Sequence, residues 1–422
     1  MKKYNSYKDS GIDWLGLIPS NWDIQRLAYN GEFLKGRGVS RADLTEEGVP
    51  VVLYGDIYTK YDIKTNSIVR KTSKSVAENS VRIFEGDLLF TASGETKIDI
   101  GKCIVFNQNI EAYASGDVVI YRQNKFDSTY LGYLFNSYYL NISKAKLSKG
   151  EIVIHIYASQ LRNIHFGCPS ISEQTQIANY LDHKTTEIDS LIDNKEKLIA
   201  LLQEERTAVI NQAVTKGLDS NVPMKDSGIE WLGEIPEHWE VNRMKYLCGI
   251  GTGDKDTENK EDDGEYPFFV RSQTIERISS YSFDGEAILT AGDGVGVCKV
   301  WHYINGKFDY HQRVYRMSHF NNVSGKYLFY YLKYNFIKEV KKLSAKSTVD
   351  SLRRPMFQNF RVAFSSIEEQ KEIVAYIEKN TNRISDLVNK YNKEIELLKE
   401  YKTALISEVV TGKVDVRNEK LN

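Results

Sequence analysis

Two phrases of this chain each occur twice. Asp9-Ser-Gly-Ile-Asp-Trp-Leu-Gly-Leu-Ile-Pro-Ser-Asn-Trp22 returns 217 residues later as Asp226-Ser-Gly-Ile-Glu-Trp-Leu-Gly-Glu-Ile-Pro-Glu-His-Trp239. Ser170-Ile-Ser-Glu-Gln-Thr-Gln-Ile-Ala-Asn-Tyr-Leu181 returns 196 residues later as Ser366-Ile-Glu-Glu-Gln-Lys-Glu-Ile-Val-Ala-Tyr-Ile377, and the match holds without a gap to Asp219 and Asp415. Between these blocks the sequence hardly repeats. Two similar frames therefore carry two different inserts, which predicts a pseudo-twofold scaffold whose asymmetry lies in the inserts. The blocks divide the 422 residues into an N-terminal segment (1–22), a first insert (23–169), a central long helix (170–217), a repeated linker (218–239), a second insert (240–365), a C-terminal long helix (366–412) and a tail (413–422).

The helix assignment rests on periodicity. Ile177, Leu181, Ile188, Leu191, Leu198, Leu202 and Val209 recur at threes and fours, the spacing of one helical face. The counterparts Ile373, Ile377, Ile384, Leu387, Leu398 and Leu405 keep the stripe, and only Glu394 breaks it. Ser170-x-x-Glu173 and Ser366-x-x-Glu369 fit a capping box, and Gly217 and Gly412 mark the ends. Some 45 residues at about 1.5 Å each span roughly 65–70 Å. A helix that long with a near-heptad stripe needs a partner, and the other copy supplies one. Chain direction favours an antiparallel coiled coil, with the inserts at opposite ends of a rod.

The inserts read as mixed α/β. Val49–Gly55, Asp87–Gly94 and Lys102–Phe106 are short apolar runs closed by turn residues, as are Tyr266–Val270, Glu286–Gly294 and Val295–Val300. A helix rich in Tyr and Leu follows in each insert, near 128–146 and 324–342. The fold class is therefore α+β: two mixed α/β domains joined by two long antiparallel coiled-coil helices.

Apolar content of 41% and charged content of 27% fit a globular protein. No run approaches a membrane span, and the polar start shows no secretory h-region. Cys103, Cys168, Cys248 and Cys298 are far apart, which suits a reducing cytoplasm better than a zinc site or a disulfide frame. A net charge of −1 does not advertise a nucleic-acid binder. The distribution matters more than the total, however. Lys341–Arg354 holds five basic residues and one acid, and Lys144–Arg162 holds four and one. An excess at matching places in both halves points to a phosphate-facing surface, against the plain alternative of a solvated loop. Lys149, Lys346 and Arg353 are its candidate cations, joined by Lys35, Arg37, Lys97 and Lys102 on the loops of the first insert.

Catalytic motifs are sparse. The chain has no P-loop, no Asn-Pro-Pro-Tyr or Asp-Pro-Pro-Tyr segment and no His-Glu-x-x-His. Gly292-Asp-Gly-Val-Gly296 reads as a tight turn more readily than as a phosphate nest. Asp87 with Glu95-Thr-Lys97 resembles the carboxylates and Glu-x-Lys of metal-dependent nucleases, but the pattern is short enough to recur by chance, as at Glu258-Asn-Lys260. Aligning the inserts is more informative. With Pro50 on Pro267, Tyr54-Gly-Asp56 falls opposite Arg271-Ser-Gln273, and Ser115-Gly-Asp117 opposite His311-Gln-Arg313. Tyr54, Asp56, Arg271, Gln273, Gln312 and Arg313 are thus candidate base readers, with Asp293 of the Gly292-Asp-Gly turn beside them. Arg pairs with guanine edges, Gln with adenine, and Asp accepts from cytosine. Neutral loop drift is the alternative.

The repeated Lys-Asp-Ser-Gly-Ile-Glu-Trp-Leu-Gly-Glu-Ile-Pro-Glu-His-Trp phrase and the Ser-Ile-x-Glu-Gln-x-x-Ile-x-x-Tyr-[Leu/Ile] helix openings resemble the specificity subunit of Type I restriction-modification systems. The likeness spans the whole chain. It implies that the inserts are target recognition domains, each reading one half of a split double-stranded DNA site. It also implies that the helices set the spacer and dock two methyltransferase subunits, with restriction subunits joining through those. S-adenosylmethionine, ATP and Mg²⁺ would then belong to the partners, and this cytoplasmic chain would carry no cofactor, metal or catalytic residue. Two alternatives stand beside this one: a single-chain enzyme that cuts or modifies DNA, and a duplicated protein-binding scaffold.

Overall fold

The computed structural model describes residues 2–343 and 351–419. The chain forms two compact units, Met1–Lys195 with Lys393–Asn422, and Glu196–Asn392. Each unit holds one insert and parts of both long helices, Ile171–Lys216 and Ile367–Val410.

In the first unit, the strands Cys103–Val105, Leu88–Thr91, Val118–Arg122 and Glu32–Lys35 form one sheet in that order. A second sheet runs Leu44–Thr45, Lys71–Thr72, Val49–Val52, Ala112–Ala114, Val81–Ile83. In the second unit the matching strands form a single six-stranded sheet, because Phe283–Ala291 and Trp301–Tyr310 are long enough to join both parts. The registers correspond. Val51 pairs with Tyr113 in parallel, as Phe268 does with Asp309. Lys35 lies opposite Val119, as Thr252 lies opposite Tyr315. The alignment of the inserts made from Pro50 and Pro267 is therefore the structural one.

Two details differ from the sequence reading. Val295–Val300 is not a strand. Positive φ at Gly294 and Cys298 turns the chain through a 3-10 turn at Gly294–Gly296, and the strand begins only at Trp301. The Tyr-rich helix is single in the second insert, Gly325–Leu343, but broken in the first into Ser128–Phe135 and Tyr138–Leu147. At the break, Asn136 exchanges hydrogen bonds with the Cys103 backbone, with its Oδ1 3.1 Å from the amide nitrogen and its Nδ2 2.6 Å from the carbonyl oxygen.

Each insert leaves and re-enters the frame through one antiparallel pair, Asp23–Arg26 with His165–Cys168 and Glu240–Arg243 with Arg361–Phe364. The first strand of each pair follows Trp22 or Trp239, and the second precedes the helix-opening Ser170 or Ser366. The repeated phrases meet at this root. Both tryptophans are fully buried. Trp22 Nε1 donates to Glu173 Oε1 at 3.0 Å, and Trp239 Nε1 to Glu369 Oε1 at 3.0 Å. Tyr4 Oη adds a 2.7 Å bond to Glu173, and His238 Nε2 lies 2.8 Å from Glu369 Oε2.

The capping box is thus half of what its pattern suggests. The serine hydroxyls accept from the Glu173 and Glu369 amides at 3.4 and 3.3 Å, but both carboxylates turn away to the indoles. The adjacent glutamines anchor the helices sideways. Gln174 accepts from the Asp127 amide, and Gln370 from the Ser324 amide, at the start of each Tyr-rich helix.

The same tryptophan receives the end of the other long helix. In the first unit Gly412, at φ 74°, packs against Pro19 and Trp22, and a Cβ there would lie 3.1 Å from the indole. In the second unit Gly217, at φ 75°, meets Trp239 and Pro236. The left-handed conformation ends each helix and suits glycine. Tyr130 Oη donates to the Val410 carbonyl at 3.3 Å, and Tyr327 Oη to the Val214 carbonyl at 3.0 Å, satisfying acceptors that helix ends leave open.

Within each unit the long helices therefore run antiparallel. In the first, Lys402 bonds Asp189 at 2.9 Å, and Glu394 meets Lys195 further along. In the second, Arg383 meets Glu205. The buried seam departs from the stripe read in the sequence. Ile177, Leu181, Ile188, Ile373, Ile377, Ile384 and Leu405 are buried in their own chain, so they are packing residues and not a surface for a partner. Leu202, Leu387 and Leu398 are half-buried. Leu191 and Leu198 lie outside the seam at 50% and 43% exposure, and Ile192 takes the inner position. The seam alternates steps of four and three through Leu181, Thr185, Ile188 and Ile192, which leaves Leu191 on the outer flank.

Lys144 is fully buried, donating to the Gly101 and Phe135 carbonyls at 2.6 and 2.7 Å. Burial pushes its pKa from 10.5 down to about 8. Above that pH the folded state releases a proton that the unfolded chain still binds, so this residue's contribution to stability rises from about pH 8 towards 10.5. Urea unfolding of wild type and Lys144→Met should show the difference moving in favour of wild type over this range. A pH-independent difference would contradict the assignment.

The clasp is expected to dominate frame stability. Trp22→Phe leaves part of a buried carboxylate unpaired and should cost about 1–3 kcal/mol in chemical denaturation. Trp239→Phe should cost less, because Glu369 is 26% exposed and keeps His238, and Leu191→Ala, on the outer flank, under about 1 kcal/mol.

Candidate nucleic-acid interface

The sheet topology gathers several strand ends at one end of each insert. In the first, the Ser115 amide bonds the Val52 carbonyl at 3.0 Å, and the Ala92 amide bonds the Asp117 carbonyl at 2.8 Å. Gly36 lies so close to the Ser115 carbonyl that no side chain fits, which brings Lys35 and Arg37 alongside. In the second, the His311 amide bonds the Phe269 carbonyl at 2.9 Å, and the Gly292 amide bonds the Arg313 carbonyl at 2.8 Å. Gly253 abuts the Tyr310 carbonyl just as Gly36 abuts Ser115.

On the second insert this end carries a charged cluster. Arg271 Nη1 donates to Asp293 Oδ1 at 2.9 Å, and Arg313 Nη1 to Asp293 Oδ2 at 2.8 Å. The arginines are 41% and 60% exposed, whereas the carboxylate between them is 23% exposed. Burial pushes the Asp293 pKa up, but the two guanidinium hydrogen bonds outweigh it and hold the carboxyl below its ordinary value. Gln312 Nε2 is occupied by Asp256 Oδ2 at 2.7 Å, a partner 56 residues away that no sequence pattern suggested. Asp293 also bridges Ser351 through the backbone, and the Leu352 amide reaches the Gly292 carbonyl at 2.7 Å, so exposed Arg353 follows directly. Gln273 is exposed in the same segment as Arg271. Val295 tips the neighbouring turn at 93% exposure. The Gly292–Gly296 segment is thus a turn between strands.

On the first insert the corresponding positions hold exposed Tyr54, Ser93 and exposed Asp117. Ser93 Oγ lies 3.0 Å from His155 Nδ1, and the His155 backbone pairs with Lys149 at 2.7 and 2.9 Å. Lys149, Lys97, Lys35 and Arg37 are exposed. Ser93, His155 and Asp256 escaped the sequence reading because each acquires its neighbour only through folding.

Two proposed readers do not reach this surface. Asp56 is buried beside Arg70, 3.5 Å from its Nε, so it cannot accept from a base. Lys102 is half-buried and spends its ammonium on the Tyr61 carbonyl at 2.6 Å, so it is not a loop cation facing phosphate. The nuclease-like pattern also comes apart. Asp87 is buried and held by both Arg122 Nε and Nη2, at 2.9 and 2.8 Å. Lys346 lies outside the described residues.

The family profile described as Type I restriction modification DNA specificity domain matches residues 19–202 and 236–397, and the chain belongs to that family. It is 26% identical over 438 residues to the Type I restriction enzyme MjaVIII specificity subunit of Methanocaldococcus jannaschii, with 95% of each chain covered. It is also 26% identical over 182 residues to the EcoDI specificity subunit of Escherichia coli, covering 43% of this chain and 40% of that one. Among solved structures, the fold resembles a chain from a study of complex assembly and conformational transition in a type I R-M system, with TM-score 0.69, 16% identity and 94% and 99% of the two chains covered. The HsdS subunit from Thermoanaerobacter tengcongensis matches with TM-score 0.57 and 15% identity, covering 94% and 98%.

The geometry separates free cations from occupied ones. Lys149→Ala and Arg353→Ala are each expected to weaken DNA binding across all sequences and to lower the salt slope by about one. Lys102→Met should leave the slope unchanged. Titrations of a DNA duplex at several salt concentrations make the comparison, and a Lys102 effect equal to that of Lys149 would reverse the assignment.

Proposed function

We propose that this chain gives a Type I restriction-modification complex its DNA sequence specificity, each insert reading one half of a bipartite site. The observation that carries this reading is the contrast between frame and loops. The Trp–Glu clasp, the insert roots and the sheet registers are kept in both units, while the strand-end loops change from Tyr54, Ser93 and Asp117 to Arg271, Asp293 and Arg313. A catalytic site that had been duplicated would keep its chemistry and vary its frame. Two readers of different half-sites do the reverse.

The long helices set the separation of the half-sites and offer their outer flanks, including Leu191 and Leu198, to two methyltransferase subunits. Restriction subunits join through those. S-adenosylmethionine, ATP and Mg²⁺ act on the partners, and this cytoplasmic chain is non-catalytic. The sequestration of Asp87 by Arg122 weighs against a nuclease centre in the first insert. Among the described residues, no helix is long and apolar enough to cross a membrane.

Expression with methyltransferase subunits, followed by methylation mapping, tests the proposal. Replacing residues 23–169 with the insert of a relative should alter one half of the methylated motif and leave the other intact. Adding four residues after Arg206 lengthens that helix by about 6 Å, just over one turn, so the apolar stripe stays close to its face. With base pairs rising about 3.4 Å, the unread spacer should grow by one or two base pairs. An unchanged spacer with full activity would remove the helices as the ruler.

A further inference from the structure

We propose that Arg271 and Arg313 read two G·C pairs in the half-site of the second insert, and that Asp293 is the positioning residue holding both guanidinium groups for that task. The inference rests on the reading of the chain as a DNA-specificity subunit and goes beyond it by naming bases.

The cluster is built for orientation. One carboxylate takes one Nη from each arginine, on opposite oxygens at 2.9 and 2.8 Å. A guanidinium has five N–H donors, so each arginine keeps an edge for a ligand. The loops around the cluster are close-packed. A Cβ on Gly292 would lie 2.8 Å from the Arg313 carbonyl, and one on Gly296 would lie 2.5 Å from the Arg271 carbonyl. Only glycine lets these backbones approach so closely. The Leu352 amide on the Gly292 carbonyl braces the turn from a further segment. Exposed ion pairs contribute little to stability, so stability alone does not account for such an arrangement. Holding two long side chains in place before binding does reduce the entropy lost on binding.

Phosphate contact is the competing use, and comparison of the inserts argues against it. The DNA backbone is chemically the same at both half-sites, so phosphate contacts should recur in both inserts. Exposed cations do stand beside this end in both inserts, Lys149 in one and Arg353 in the other, although not at aligned positions. The Arg–Asp–Arg cluster does not recur. Its three positions in the first insert hold Tyr54, Ser93 and Asp117, without a cation. Chemistry present on one reader and absent from the other follows what differs between half-sites, which is the bases. Guanine presents O6 and N7 together in the major groove, and the planar arginine fork matches that pair.

The test uses the full chain co-expressed with its methyltransferase subunits, read by genome-wide methylation mapping. Wild type should methylate a bipartite motif with two G·C pairs in one half. Arg313→Gln should relax or change one of them by about tenfold to a hundredfold, and Arg271→Gln the other, with the second half-site and the spacer unchanged. Asp293→Asn keeps both arginines and should loosen both positions partially, an effect on base preference that a purely structural role would not produce. Uniform loss of methylation with an unaltered motif, in a complex that still assembles, would overturn the inference. So would a half-site without two G·C pairs. A bipartite motif indifferent to all three substitutions would overturn this inference alone. Absence of any bipartite motif in wild type would overturn the parent reading with it.

Discussion

A hydrogen bond between a buried indole and a glutamate carboxylate organises each unit. Trp22 with Glu173, and Trp239 with Glu369, join the phrase that precedes an insert to the first turn of the helix that follows it. The insert's entry and exit strands are thereby held together, and its loops are presented from a fixed root. The same indole packs against the glycine that ends the other long helix. One side chain thus positions a helix start, a helix end and a domain root, which explains why both phrases had to be duplicated together. A buried carboxylate without partners is costly, so the tryptophan cannot be exchanged freely for another apolar group.

A rigid root permits variable loops. The sheets of the two inserts keep register while strand lengths, helix continuity and loop chemistry diverge. The Tyr-rich helix breaks at Asn136 in one insert and continues in the other, yet Tyr130 and Tyr327 perform the same task at the end of a long helix. Conserved contacts lie at the root and varied ones at the strand ends, as in other folds where a stiff frame presents adaptable loops.

The near-neutral charge of the chain is reconciled with nucleic-acid binding by position. Many carboxylates are occupied by neighbouring cations or by buried donors: Asp87 by Arg122, Asp189 and Asp62 by Lys402, Asp293 by two arginines. Lysines are likewise divided between structural and free. Lys102 and Lys144 end on backbone carbonyls, while Lys97 and Lys149 end in solvent. A count of charges cannot distinguish these, because occupancy depends on what lies within about 3 Å.

The amino-acid sequence by itself determined the frame: the duplication, the two long helices with their glycine stops, the alignment of the inserts and the family. These features are periodic or local, so spacing along the chain is enough to define them. Only the tertiary structure decided which members of a stripe face inward. Ile192 displaced Leu191 because the seam continues the register of Thr185, seven residues earlier, whereas spacings of three and four along the sequence are satisfied by several stripes. Only the tertiary structure turned Glu173 from a helix cap into the receptor of an indole, buried Asp56 and Lys102, and placed Asp293 between two arginines some twenty residues away on either side. Those outcomes depend on distances between segments remote in sequence, which are set when the sheets assemble and the strand ends come together.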